Sequence, residues 1–255
     1  MYRVTDYPLL VFVLSFIVLL ISERIAWVFF SKKRALDEDV RDDLSILRAA
    51  TLTLLSLLIG FTFSMAVSRY DQRRNYEEEE ANAIGTEYVR ADLLPVADAA
   101  KLRPLLRNYL DQRILFYMAR DEQELRQINT RTTQLKNELR SAVQAPAAAQ
   151  PTPIIALAVS GMNDVLNTQG FAQAAWWNRI PPAAWALMVV LAICCNLLVG
   201  YGARSSSTGS NLFVILPLVV SMAFMLIADI DSPRNGFIRA NPQNLISLAE
   251  SLRPR

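Results

Sequence analysis

Ser56, Gly60, Ser64 and Ser68 recur every fourth residue in "SLLIGFTFSMAVS", with Thr53 on the same broad face and Leu57 and Phe61 one step beside it. On a helix of 3.6 residues per turn that spacing makes one slowly drifting stripe of small, mostly hydroxyl-bearing side chains. In apolar surroundings such a stripe lets two helices approach closely. Alternatively it wets the wall of a pore, in which Leu57 and Phe61 would form an apolar constriction that gates by dewetting. Three guanidinium groups follow at Arg69, Arg73 and Arg74. They would raise the local anion concentration through their positive field, or anchor the chain to anionic headgroups.

Other chemistry has little to work with. Histidine is absent, which removes the commonest general base and the commonest metal ligand. The 8 glycines are scattered and form no phosphate-cradling loop. The run Glu77 to Glu80 sends four carboxylates in four directions on a helix, so it cannot converge on one ion and reads as a solvated face. Asp229 and Asp231 in "IADIDSPRNGF" offer a cation site or, on the competing reading, a polar stop and turn before Pro233 and Gly236. Cys194 and Cys195 are neighbours with no other cysteine to pair with. A net charge of +2, with no basic run interleaved with aromatic residues, points to no nucleic-acid partner. No enzyme activity, metal or cofactor is expected.

The elements that must position these residues are membrane helices. The chain of 255 residues is 53% hydrophobic and 20% charged, and its apolar residues are gathered in blocks. A bilayer core needs roughly 20 mostly apolar residues per helix. Four stretches approach that length: 8–30, 49–68, 183–201 and 212–228. Ser22, Glu23 and Arg24 interrupt the first, and are placed near the headgroups because a charge at the bilayer centre costs at least a few kcal/mol. No small-residue cleavage signal follows, so the first stretch is kept as a span. The expectation is an all-α membrane protein with four transmembrane helices and a helical extramembrane layer between spans two and three. Its parts are a first helix pair at 1–68, the extramembrane region at 69–182, a second pair at 183–228 and a C-terminal tail at 229–255.

Within 69–182 the pattern is helical throughout. The second span continues without a breaker to Pro95, placing Tyr76, Ile84, Tyr88 and Ala91 on one face. Pro104 is expected to open the next helix, and Leu125, Ile128, Thr132, Leu135 and Leu139 follow 3, 4, 3, 4 spacing, the seam of a helix that packs on another. "APAAAQPTP" at 145–153 reads as a linker. Trp176, Trp177 and Trp185 suit a membrane interface. With four spans, both termini and 69–182 share one side. Basic residues nearly balance across the membrane, with Arg3, Arg69, Arg73, Arg74, Arg179, Arg234 and Arg239 on that side against Lys32, Lys33, Arg34, Arg41, Arg48 and Arg204 on the other.

"IGFTFSMAVSRYDQRR" resembles the end of the second membrane helix of bestrophins, the pentameric anion channels, with Gly60, Phe61, Arg69 and Tyr70 at the matching positions. "SRYDQRRNYEEEEANAIGTEYVRADLLP" and "DIDSPRNGFI" together resemble a broad set of bacterial membrane proteins labelled bestrophin-like. The resemblance implies a homo-oligomer, a pentamer if it holds in full, in the bacterial inner membrane with the termini and 69–182 in the cytoplasm. It implies passive diffusion of inorganic anions such as chloride through a ring of second helices, with Thr53, Leu57 and Phe61 at the neck. Thr53 is polar where the family's neck is apolar, Tyr70 and Asp71 replace a Trp-rich pair, and Asp229 with Asp231 are too sparse for the family's calcium clasp. A rival reading is a membrane scaffold or sensor whose helical region docks a partner through the Leu125 to Leu139 seam. Exposure of that seam discriminates between the two.

Overall fold

The computed structural model describes residues 4–31, 38–203 and 214–253, which are helical apart from turns, with no strand among them. Arg3, Lys32, Lys33, Arg34 and Arg204 of the charge balance, and the start of the fourth apolar stretch, lie outside the described residues. The helices are α1 (Pro8–Ser31), α2 (Glu38–Arg90), α3 (Val96–Met118), α4 (Glu122–Ala149), α5 (Pro153–Trp177), α6 (Pro182–Ala203), α7 (Ile215–Asp231) and α8 (Gln243–Ser251). Among the described residues three stretches are long and apolar enough to cross a membrane, Pro8–Phe29, Val40–Leu93 and Pro153–Gly202. The chain divides into two compact units, one of Met1–Ser68 with Arg179–Arg239, the other of Arg69–Asn178 with Ala240–Arg255.

In the first unit α1 packs on α6 and α7. Gly200 permits the closest approach, since a Cβ there would fall on the Glu23 carbonyl oxygen. Glu23 is buried against this contact. An ionic staple ties the ends of the elements together: Arg179 donates from Nη1 to Asp6 at 2.7 Å and from Nε to Asp231 at 2.9 Å, and Asp231 also accepts from the Ile180 amide at 3.2 Å.

The second unit has the larger apolar core, built from Ile84 of α2, Leu106 and Tyr109 of α3, Leu135 and Leu139 of α4, Met162 of α5 and Leu245 of α8. α2 runs 53 residues because no proline interrupts it. It ends in a 3-10 turn, Ala91–Leu93, where Pro95 forces Leu94 into an extended backbone. α3 begins at Val96 and carries Pro104 inside it, so Pro104 does not open the helix as its sequence position suggests. The ring costs one backbone hydrogen bond, and fully buried Leu102 and Leu106 on either side hold the helix through it.

The expected linker is largely helix. α4 starts on Asp121, whose carboxylate accepts from the amides of Gln123 and Glu124 at 2.8 and 3.0 Å, and continues through the alanines to Ala149 with Pro146 buried inside it. Alanine is the best helix former, and Pro146 extends the buried line of Leu139 and Val143 by the same 4, 3 spacing. Only Gln150 to Thr152 break the chain before Thr152 caps α5, accepting from the Ile155 amide at 3.2 Å. The seam at Ile128, Thr132, Leu135 and Leu139 is buried within this unit. Trp176 is a core residue too, edge-on to Phe116 and Tyr117 with centroids 5.2 and 5.5 Å away, whereas Trp177 is exposed.

Candidate functional site

The apolar part of α2 has one narrow buried stripe and is otherwise largely bare, Leu54, Phe63 and Met65 included. Leu55, Thr62 and Ala66 are buried, at spacings of 7 and 4. Thr53, Ser56, Leu57, Gly60, Phe61, Ser64 and Ser68 are all exposed. Apart from Ser56, which stands roughly 100° from Leu55, they lie on the opposite side of the helix, because steps of 2, 5, 6, 9 and 13 residues from Leu55 rotate by roughly 140 to 240° at 100° per residue. Leu57 is 51% and Phe61 62% exposed, and nothing lies within 4 Å of where a Gly60 Cβ would stand. Among the described residues nothing covers these positions.

The hydroxyls on this face differ in what they can offer. Thr53 donates to the Ala49 carbonyl at 2.9 Å and Ser56 to the Leu52 carbonyl at 2.8 Å, so each presents only oxygen lone pairs outward. Along the same helix Arg69 is half-buried and Arg74 exposed. Arg73 is 2% exposed, its Nε donating to the Ala175 carbonyl at 3.4 Å. Its guanidinium therefore belongs to the interior of the second unit and does not meet solvent beside Arg74.

The acidic run is not a solvated face. Glu78 and Glu79 are exposed, but Glu77 and Glu80 are buried. Arg113, itself without exposure, donates to Glu80 from Nε and Nη2 and lies 4.3 Å over the Phe116 ring. Burial by itself would lower the Arg113 pKa, and the Glu80 carboxylate reverses this, so the guanidinium stays charged. Glu77 accepts from the Leu245 amide at 2.9 Å and from Asn244 Nδ2 at 2.7 Å, which caps the start of α8. Burial still leaves its carboxyl above the usual range, against these hydrogen bonds. The signal for this pair of buried acids is periodic: Arg73, Glu77, Glu80, Ile84, Glu87 and Ala91 are spaced 4, 3, 4, 3, 4 and all are buried.

Asp229 and Asp231 are occupied by the fold. Asp229 accepts from the amides of Phe237 and Ile238 at 2.6 and 2.9 Å, closing the turn after α7, while Asp231 belongs to the Arg179 staple. Among the described residues no cluster of three or more histidine, cysteine, aspartate or glutamate side chains could hold a metal ion. Cys194 and Cys195 are free thiols.

α2 runs without a break from an apolar part into a long polar part, as the absence of a breaker before Pro95 predicts. The family model described as the Bestrophin-like domain matches residues 15–245. The chain belongs to the bestrophin-like family. The fold of this bestrophin-like chain is similar to a crystal structure of a variant bacterial bestrophin homologue from Klebsiella pneumoniae, with 13% identity over 94% of this chain and 97% of that one and a TM-score of 0.64. A second crystal structure of the Klebsiella homologue, phased by zinc anomalous scattering, has 14% identity, coverage of 95% and 98%, and a TM-score of 0.60. A further variant of the homologue reaches 15% identity with coverage of 96% and 95% and a TM-score of 0.58. At these identities the likeness is one of fold. No curated protein matches the bestrophin-like chain by sequence.

Proposed function

We propose that the chain is one subunit of a homo-oligomeric channel passing anions such as chloride by passive diffusion, with the bare stripe of α2 around the path. One observation carries this reading. The apolar part of α2, which runs directly into a long polar helix, leaves Thr53, Leu57, Gly60, Phe61, Ser64 and Ser68 uncovered by the described residues of its own subunit. Leu57 and Phe61 would set the hydrophobic barrier, with Thr53 on the same stripe. Ser64 and Ser68 would line a wetter vestibule, or pack against a neighbouring copy together with Ser56 and Gly60. Arg69 and Arg74 would attract anions toward the mouth. Arg73, being buried, would act only through its field.

The finer architecture belongs to the same proposal. α7 has 17 residues, at the lower end of what spans a bilayer core, and with α1, the apolar part of α2, and α6 it would make four spans. The channel would be a pentamer in the bacterial inner membrane, with both termini and 69–182 in the cytoplasm, as the bestrophin resemblance implies. The parts 1–68, 69–182, 183–228 and 229–255 would serve as two membrane pairs, a cytoplasmic layer and a tail. A catalytic role finds no support, given a chain without histidine. The scaffold reading loses its docking surface, because the α4 seam is covered within the subunit.

Purified protein in chloride-loaded liposomes is expected to dissipate an outward chloride gradient, with a rate that scales with the amount of protein. Absence of flux in vesicles where insertion has been verified would refute the proposal.

A further inference from the structure

We propose that Glu87 is a proton-binding site that latches α2 to α5: carrying its proton it packs against Gly161, and on losing it the contact between the two helices loosens. Glu87 has no exposure, and neither carboxylate oxygen has a hydrogen-bond partner. Facing it from α5 is Gly161, where an added Cβ would fall on the Glu87 carboxylate and beside the Arg90 guanidinium. The space that a side chain would take on α5 is thus filled by the acid from α2. A buried carboxylate without hydrogen bonds is costly, whereas the neutral acid is far less so.

The charged groups that act on Glu87 are Arg90, one turn along its own helix, and Asp164 on α5. These two face each other, with Arg90 Nη1 3.9 Å from Asp164 Oδ2. The arrangement has two states. With Glu87 neutral, Arg90 serves Asp164. With Glu87 ionised, the buried charge competes for the same guanidinium, which already lies beside it at Gly161, and Asp164 loses its partner.

Burial pushes the Glu87 carboxyl from 4.5 up to about 8, with Arg90 opposing and Asp164 adding to the shift. The sign follows from linkage. Below pH 4.5 both the closed and the opened forms are protonated. Between 4.5 and about 8 only the closed form keeps its proton, so closure weakens as pH rises, by up to tenfold per unit, and levels off above the folded value.

The test is hydrogen exchange across α5 in the full-length protein held in lipid nanodiscs, corrected for intrinsic exchange rates. Protection of the wild type is expected to fall by roughly fiftyfold between pH 6 and pH 8 and by less than about twofold beyond. Glu87→Gln should be flat over the same range. Arg90→Gln should move the levelling point to higher pH and Asp164→Asn to lower pH, the opposite shifts expected of an opposing and a reinforcing charge. Parallel profiles for wild type and Glu87→Gln would overturn the latch. Should Glu87→Gln fail to fold, a levelling point unmoved by both charge variants would overturn it equally.

Discussion

Arg113→Met is expected to lower the stability of the unit formed by Arg69–Asn178 and Ala240–Arg255 by about 3–5 kcal/mol. The pair it breaks has no exposure on either side, and Tyr117 also donates to Glu80 at 3.4 Å. Methionine would fill much of the arginine's volume while leaving the Glu80 charge buried with one weak partner, and an uncompensated buried charge costs more than the pair itself contributes. The double variant Arg113→Met with Glu80→Leu should therefore recover most of the loss, since an apolar replacement of a buried pair is often neutral. Thermal melting of the full chain in detergent, with hydrogen exchange across α3 locating the effect, measures both. A single variant that loses less than about 1 kcal/mol, or a double variant no better than the single, would show that burial of this pair is not what holds α2 to α3.

Leu57→Ala combined with Phe61→Ala is expected to raise chloride flux by roughly tenfold or more, equivalent to lowering the barrier by about 1.4 kcal/mol. The reasoning starts from exposure. Both side chains project from the subunit with little to hold them, so truncating them removes almost no packing within the chain, and the fold should be retained to within about 0.5 kcal/mol. If copies of α2 surround a path, these two rings of apolar groups are its driest and narrowest part, and their removal admits water. A helix that merely packs against a neighbour would respond in the other direction: the oligomer would weaken and no flux would be gained.

How much of this was legible in the sequence depends on the element. The second apolar stretch and its stripe were legible because small residues at every fourth position are a pattern of spacing alone, and spacing survives folding. So was the α4 seam, where 3, 4, 3, 4 apolar positions fixed which face would be buried, though only the fold shows that the partner is in the same chain. The fates of the four glutamates were not legible. Each carboxylate is chemically identical, and Glu80 is buried only because Arg113, 33 residues further on, arrives with a guanidinium at the same height. The same holds for Arg73, which differs from Arg74 by one 100° step and so enters the core while its neighbour meets solvent. Pro104 and Pro146 misled for a local reason: a proline's cost of about 3 kcal/mol in a helix can be outweighed where the flanking turns bury leucine and valine. For Asp229 and Asp231 the sequence left a cation site and a turn both open; Asp229 closes the turn, and the role of Arg179 in binding Asp231 depended on contacts 52 residues apart.

The central claim, that the bare face of α2 borders a water-filled anion path, is tested most directly by a single cysteine at Ser64→Cys. In a background where Cys194 and Cys195 are replaced by alanine, a membrane-impermeant, negatively charged thiol reagent would be applied to the reconstituted protein and chloride flux followed. The account predicts that the thiol is labelled and that flux falls as labelling proceeds. A thiol that stays unlabelled, or one labelled with flux unchanged, would contradict it.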